Sequence, residues 1–247
     1  MQRFAFLILL GLPAFCTAQA TPSASDPVTS AGVVAVAATP APNAAATDVI
    51  GFLHKVEAKN RETKSLEAEF SQVREDSIMG DTVRSEGRFW YKAPGKFRAS
   101  YPENKEDKSY ASEVWMEGNT LSTYTPKMKQ AEILEQATGD DAPVNQMLLG
   151  FGLQVSKIEK VFDVAPAAEK KPGLYGIDFH SKNLDQSMQY DTITIYFDEK
   201  KIEPATIVLR DSSASTTISL RKVKFNPEID DKKFETDWPA NTQIIRY

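Results

Sequence analysis

The chain carries two histidines, His54 and His180, and a single cysteine, Cys16. Zinc, acid–base and nucleophilic chemistry all draw on such residues, held near partners that bring them to one point. No such pattern is present: there is no HExxH, no CxxC, no G-x-S-x-G and no glycine loop of the phosphate-cradling kind. A metal site of the usual types is not expected, and neither is a cofactor. A Ser-His-Asp triad can be assembled from positions far apart in sequence, so His54 and His180 stay open as members of a dispersed hydrolytic site. The acidic pairs Asp140-Asp141 and Asp230-Asp231 read as solvated turns and lack the local signature of a glycosidase carboxylate pair. The expectation is a protein that binds and does not catalyse.

The elements that hold these residues are mostly strands. Residues 48–60 place Val49, Ile50, Phe52, Leu53 and Val56 at helical spacing behind Thr47 or Asp48 as cap, which puts His54 on a first helix. Beyond it the period becomes two. Leu66, Ala68, Phe70 and Gln72 alternate with Glu67, Glu69 and Ser71, and Val83, Ser85, Gly87, Phe89 and Tyr91 share one face of a strand over 82–92. Pro94-Gly95 turns the chain, and Phe97, Ala99 and Tyr101 return. Strands over 113–116 and 120–125 flank Glu117-Gly118-Asn119, and another follows over 130–134. Residues 140–150 break the pattern: an acidic start, Pro143, then Met147-Leu148-Leu149 and Gly150 read as a short helix. Strands resume over 161–164, 174–180 (ending at His180), 192–197, 206–209 and 216–225. About eleven short strands with tight connections and two helical segments predict an antiparallel meander, a barrel or a strongly curled sheet.

Composition narrows the function. The 247 residues are 41% hydrophobic and 26% charged, with a net charge of −5. Lys and Arg are interspersed with Asp and Glu, which argues against nucleic acid as a partner. Arg3, an apolar run over 4–12 and Ala18-Gln19-Ala20 read as a cleaved secretory signal peptide over 1–20, so export from the cytoplasm is expected. Cys16 would leave with it, so the mature chain would hold together without disulfides. Residues 21–46 are rich in Ala, Pro, Ser and Thr and read as a disordered spacer. Residues 47–247 then form one domain, large enough to bury a core without metal or disulfide. A monomer is expected.

Apolar surface is what remains. Phe70, Phe89, Tyr91, Phe97, Tyr101, Leu121 and Ile195 are candidates for inward positions. One reading is that they simply make the core. The other is that the helices over 48–60 and 140–150, with Phe52, Met147, Leu148 and Leu149 as lid residues, cover the mouth of a cavity where an apolar ligand replaces missing core.

The order of several short motifs resembles a known family. They are Phe70-Ser71-Gln72, Gly87-Arg88-Phe89-Trp90-Tyr91-Lys92, Pro94-Gly95-Lys96-Phe97-Arg98 with Tyr101, Trp115-Met116-Glu117-Gly118-Asn119, and Tyr124-Thr125-Pro126. Pro143 with Leu148-Leu149-Gly150, Pro204-Ala205-Thr206-Ile207, and Phe234 with Trp238-Pro239 follow in order. Together, over 47–247, they resemble the periplasmic lipoprotein carriers, the LolA-like proteins. That resemblance implies an incomplete antiparallel β-barrel with an α-helical lid over a hydrophobic cavity. It also implies a non-enzymatic function, in which acylated lipoproteins or other lipids are taken from an inner-membrane lipoprotein exporter and passed to an outer-membrane acceptor. Phe97 falls at a family position tied to cargo handling. One departure concerns the residue before Pro94, often an Arg thought to latch the lid. Here it is Ala93, with Arg88 or Arg98 as alternatives whose facing is open. A lipid-sensing or other lipid-binding regulatory module on the same scaffold is the alternative function.

Overall fold

The computed structural model describes residues 44–103, 111–118, 120–135, 154–182, 190–236 and 238–246. Helix α1 (Ala44–Arg61) is followed by strands β1 (Ser65–Asp76), β2 (Thr82–Lys92), β3 (Lys96–Tyr101), β4 (Ser112–Glu117), β5 (Thr120–Thr125) and β6 (Gln130–Glu135). A short helix, α2 (Val155–Val161), leads into β7 (Phe162–Pro166), β8 (Leu174–Ser181), β9 (Thr192–Asp198), β10 (Glu203–Arg210) and β11 (Ala214–Phe225). A 3-10 turn (Asp231–Phe234) and β12 (Gln243–Arg246) complete the order.

All twelve strands form one open sheet, ordered β12-β6-β5-β4-β3-β2-β1-β11-β10-β9-β8-β7. It is built from two antiparallel meanders joined where β1 pairs with β11. Each of the eleven strands expected from alternation is present. The twelfth, β12, is an addition to that expectation, and it pairs parallel to β6, so the sheet is not wholly antiparallel. Its four residues are too few for an alternating pattern to register. Helix α2 is a second addition; Val155 and Ile158 are its buried residues, and Val161 packs half-buried against the same core. The expected helix over 140–150 lies outside the described residues.

Parity sorts the side chains as expected. Leu66, Ala68, Phe70 and Gln72 are buried on the concave face, while Glu67 and Glu69 point the other way. One core cluster collects the concave residues of both meanders together with Val49, Leu53 and Val56 of α1. A β-bulge in β11, opposite Ala68, places Lys222 at a positive φ of 51° and bends the long central pair. Strand β9 departs from simple alternation: Thr194 and Tyr196 on its outer face are as buried as Ile193, Ile195 and Phe197. Helix α1 starts at Ala44, ahead of the expected start, so Thr47 and Asp48 lie within it and do not cap it.

The convex face of β2–β4 is crossed by the chain's own tail. Trp115 meets Trp238 edge-on at 6.3 Å, and the Lys233 ammonium sits 3.9 Å from the Trp90 ring centroid. Arg98 donates to the Lys233 carbonyl at 3.0 Å, and Lys92 to that of Ile229 at 2.9 Å. Phe234 is the buried residue of this strap's 3-10 turn.

Candidate functional site

The concave face is the feature that combines size, apolar chemistry and a covering helix. Phe70, Phe89, Phe97, Tyr101, Leu121 and Ile195 are all buried on it, and Tyr91 is half-buried. Four of the rings form a run across β1–β3. Phe97 stacks near Phe89 (5.8 Å), Phe89 lies 6.4 Å from Phe70, and Tyr101 meets Phe70 edge-on at 5.0 Å. Such ring pairs add to the transfer energy of the buried area. The Phe70 ring reaches over Gly87, its direct cross-strand partner: a Cβ there would lie 2.5 Å from Phe70 Cζ and collide with the Ser100 carbonyl oxygen. The glycine therefore sets how closely the ring can approach the sheet.

Helix α1 lies across the end of this face where β8 and β10 begin. Phe52 stacks on Tyr175 at 4.4 Å and meets Phe197 at 5.5 Å. Polar contacts pin both ends of the helix. The Tyr175 hydroxyl donates to Asp48 Oδ2 (2.9 Å), and Lys59 Nζ donates to the Lys201 carbonyl (2.6 Å) and Glu203 Oε1 (2.9 Å). Burial pushes the Tyr175 phenol up to about 12, and its bond to Asp48 pushes the same way, so it stays a donor at neutral pH. No local pattern in the sequence signals these pins, since they join residues more than a hundred positions apart. Met147, Leu148 and Leu149 lie outside the described residues.

Ala93 and its two neighbouring arginines have a clear geometry. Ala93 is exposed, and its N–H donates to the Lys64 carbonyl at 2.8 Å. Arg88 and Arg98 alternate with the buried Phe89 and Phe97, so both face the convex side. Arg88 pairs with Glu69 (3.0 Å) and Arg98 with Glu113 (2.9 Å). Neither arginine is placed to reach α1 across the concave face.

The histidines do not converge on a reaction centre. His54 is exposed on α1, with Nδ1 3.3 Å from Glu57. His180 is on the outer side of β8, with Nδ1 3.2 Å from Thr192 Oγ1. The carboxylate across the strand pair from it, Asp163, goes to Lys182 at 3.4 Å and does not orient the imidazole. Among the described residues there is no group of three His, Cys, Asp or Glu that could hold a metal ion. No helix among them is long and apolar enough to cross a membrane.

The family model described as outer membrane lipoprotein carrier protein LolA matches residues 61–237. Outer-membrane lipoprotein carrier proteins of two Pseudomonas putida strains are each 27% identical over 187 residues, covering 74% of this chain and 83% of the relative. An uncharacterized conserved protein from Thermus thermophilus has a solved structure that aligns with a TM-score of 0.52 at 12% identity. That alignment covers 81% of this chain and 99% of that one, a likeness of fold alone. With more than half its length matched by the family model, the chain belongs to the outer membrane lipoprotein carrier family.

Proposed function

We propose that this protein is a soluble periplasmic carrier that shields lipoprotein acyl chains against its concave face and moves them from the inner to the outer membrane. In this reading residues 1–20 direct export and are removed, 21–46 form a spacer, and 47–247 are the carrier domain. Cargo comes from an inner-membrane lipoprotein exporter and goes to an outer-membrane acceptor. The observation that supports it most is the run of Phe97, Phe89, Phe70 and Tyr101 on a face whose cover, α1, is held by a few pins. Burying an acyl chain gains about 0.8 kcal/mol per CH₂, or about 12 kcal/mol for a ~16-carbon chain. A carrier that also releases must offset much of this, and opening contacts such as those of Phe52 and Lys59 is one way to do so. Phe70, Phe89, Tyr91, Phe97, Tyr101, Leu121 and Ile195 form the binding face, with Phe52 and residues 147–149 on the lid.

Lipid extraction and mass spectrometry of the protein purified from its native periplasm test the proposal. Acyl-bearing species should co-purify in repeated preparations; clean preparations throughout would sink it. Phe97 is buried against Phe89, so a glutamate there would cost the fold several kcal/mol as well as the site. Phe97→Leu is the cleaner variant, and it should lower lipid loading several-fold while the protein stays folded.

A further inference from the structure

The chain from 227 onward is held unlike the rest of the molecule. Its root is clamped. Asn226, at a positive φ of 55°, donates its N–H to the Ser65 carbonyl (2.9 Å), and its side chain accepts from the Lys64 N–H (2.7 Å) and donates to the Glu62 carbonyl (3.2 Å). The Ser65 hydroxyl donates to the Pro227 carbonyl. Beyond this clamp the contacts are sparse and mostly polar. Lys92 and Lys96 share Asp231 at 3.1 and 3.4 Å, but that carboxylate is 64% exposed, so the pairs hold weakly. The 3-10 turn is tied down by the bonds from Lys92 and Arg98 to the Ile229 and Lys233 carbonyls. Among the described residues from 227 to 246 only Phe234 is buried, and none belongs to the main core cluster. Strand β12 leaves Gln243, Ile244 and Arg246 exposed. Three buried polar atoms of this contact have no partner among the described residues: Nε1 of Trp115 and of Trp238, and Oγ1 of Thr242. Each is desolvated only while the tail is down, which weighs against the closed form.

We infer that residues 227–236 and 238–246 are a hinged strap, which lifts from the convex face as one unit about Asn226 while β1–β11 stay folded. Local opening selects segments with few buried apolar contacts and solvent-exposed hydrogen bonds, and the strap has both. Lifting it frees the outer edge of β6, whose N–H and C=O groups then stand ready for backbone pairing, and bares Trp90 and Trp115. The strap needs nothing from the concave face, so it stands or falls apart from lipid carriage. All three tryptophans of the chain, Trp90, Trp115 and Trp238, lie in this contact, so their emission reports its state.

Hydrogen exchange read by mass spectrometry on the full-length protein tests the strap. Amides of the 3-10 turn and of β12 should show protection factors alike within a few-fold, and at least about tenfold below those of β1 and β11. In a urea titration the tryptophan emission should shift before the far-UV signal of the sheet is lost. Two variants should move that first transition in opposite directions. Thr242→Val exchanges an unpartnered hydroxyl for a methyl and should raise the emission midpoint. Lys233→Met takes the ammonium away from the Trp90 ring and should lower it. The far-UV midpoint should stay in place in both. A strap as protected as β1 and β11, emission and far-UV transitions that coincide, or variants that leave the emission midpoint unmoved would each overturn the inference.

Discussion

Phe70 of β1 and Tyr196 of β9 each lie directly opposite a glycine of the neighbouring strand, Gly87 and Gly176. In both places the ring occupies the space a Cβ would take: Phe70 Cζ would be 2.5 Å from one at Gly87, and Tyr196 Cε1 2.8 Å from one at Gly176. The two rings end on opposite faces. Phe70 faces the concave side among Phe89 and Tyr101, in the same apolar core that α1 joins. Tyr196 faces the convex side and is sealed by Ala167, Val208 and Leu174, with the Lys171 ammonium 4.3 Å from its ring and its hydroxyl on the Glu169 carbonyl at 3.2 Å. The same local device serves a broad apolar face in one case and a small closed cluster in the other. What separates them is the cover: a pinned helix on one side, a short fixed loop on the other.

Substitutions at the two glycines should separate the faces most strongly. Gly87→Ala should destabilise by about 3 kcal/mol, at the upper end of common overpacking, because the new methyl meets a backbone carbonyl that cannot swing away. A thermal melt would show it, with lipid loading lost in parallel. For Gly176→Ala the nearest atoms are side-chain carbons of Ala167 and Tyr196, and the change should cost about 1–2 kcal/mol with loading per folded molecule unchanged. Equal losses of loading in both variants would break the distinction between the faces.

Smaller changes sharpen it. Tyr196→Phe removes the hydroxyl bond to Glu169 and should cost about 1 kcal/mol in a denaturant titration, with no effect on lipid uptake. Lys59→Met removes one pin of α1, a half-exposed contact worth below about 1 kcal/mol, yet it should speed lipid exchange several-fold in stopped-flow measurements. Unchanged exchange would show that α1 is not the moving cover.

The smallest effect belongs to acid. Glu69 is held below the usual carboxylate range by its bonds to Lys222 and Arg88, and Asp231 by Lys92 and Lys96. Backbone N–H groups of Met79 and Ile78 do the same for Asp76, and those of Lys201 and Lys200 for Asp198. A carboxylate lowered on folding stabilises the fold above its unfolded pKa, and this is lost as pH falls through the folded value. The melting temperature should therefore fall below about pH 4. In Glu69→Gln, which alters only the convex charge ladder, the fall should be shallower and lipid loading unchanged.

Much of the molecule is legible in its residues. The parity of Leu66, Ala68, Phe70 and Gln72 reads directly as one face, because a strand alternates by its own backbone geometry. The pattern over 87–101 likewise places Phe89, Phe97 and Tyr101 together. Parity does not tell which side of a strand is covered, or by what. Thr194 and Tyr196 look like the solvent side of a strand and are buried, Thr194 between Asp178 and Arg210 and Tyr196 under the loop that carries Glu169 and Lys171. The facing of Arg88 and Arg98 is plain only once the concave side is known. The Asp48–Tyr175 and Lys59–Glu203 contacts leave no trace in local pattern.

The amino-acid sequence by itself determined eleven of the twelve strands, the alternation in most of them, the first helix and the family, since each rests on period, turn chemistry or the order of short motifs. The tertiary structure decided how the two meanders join at β1 and β11, the parallel docking of β12 on β6, and the tail strapped over Trp90 and Trp115. It also decided that Gln72, Ser85 and Thr216 share one buried polar end of an apolar face. Those outcomes depend on contacts between distant segments, whose closeness follows from packing and chain closure and not from the residues beside them in the chain.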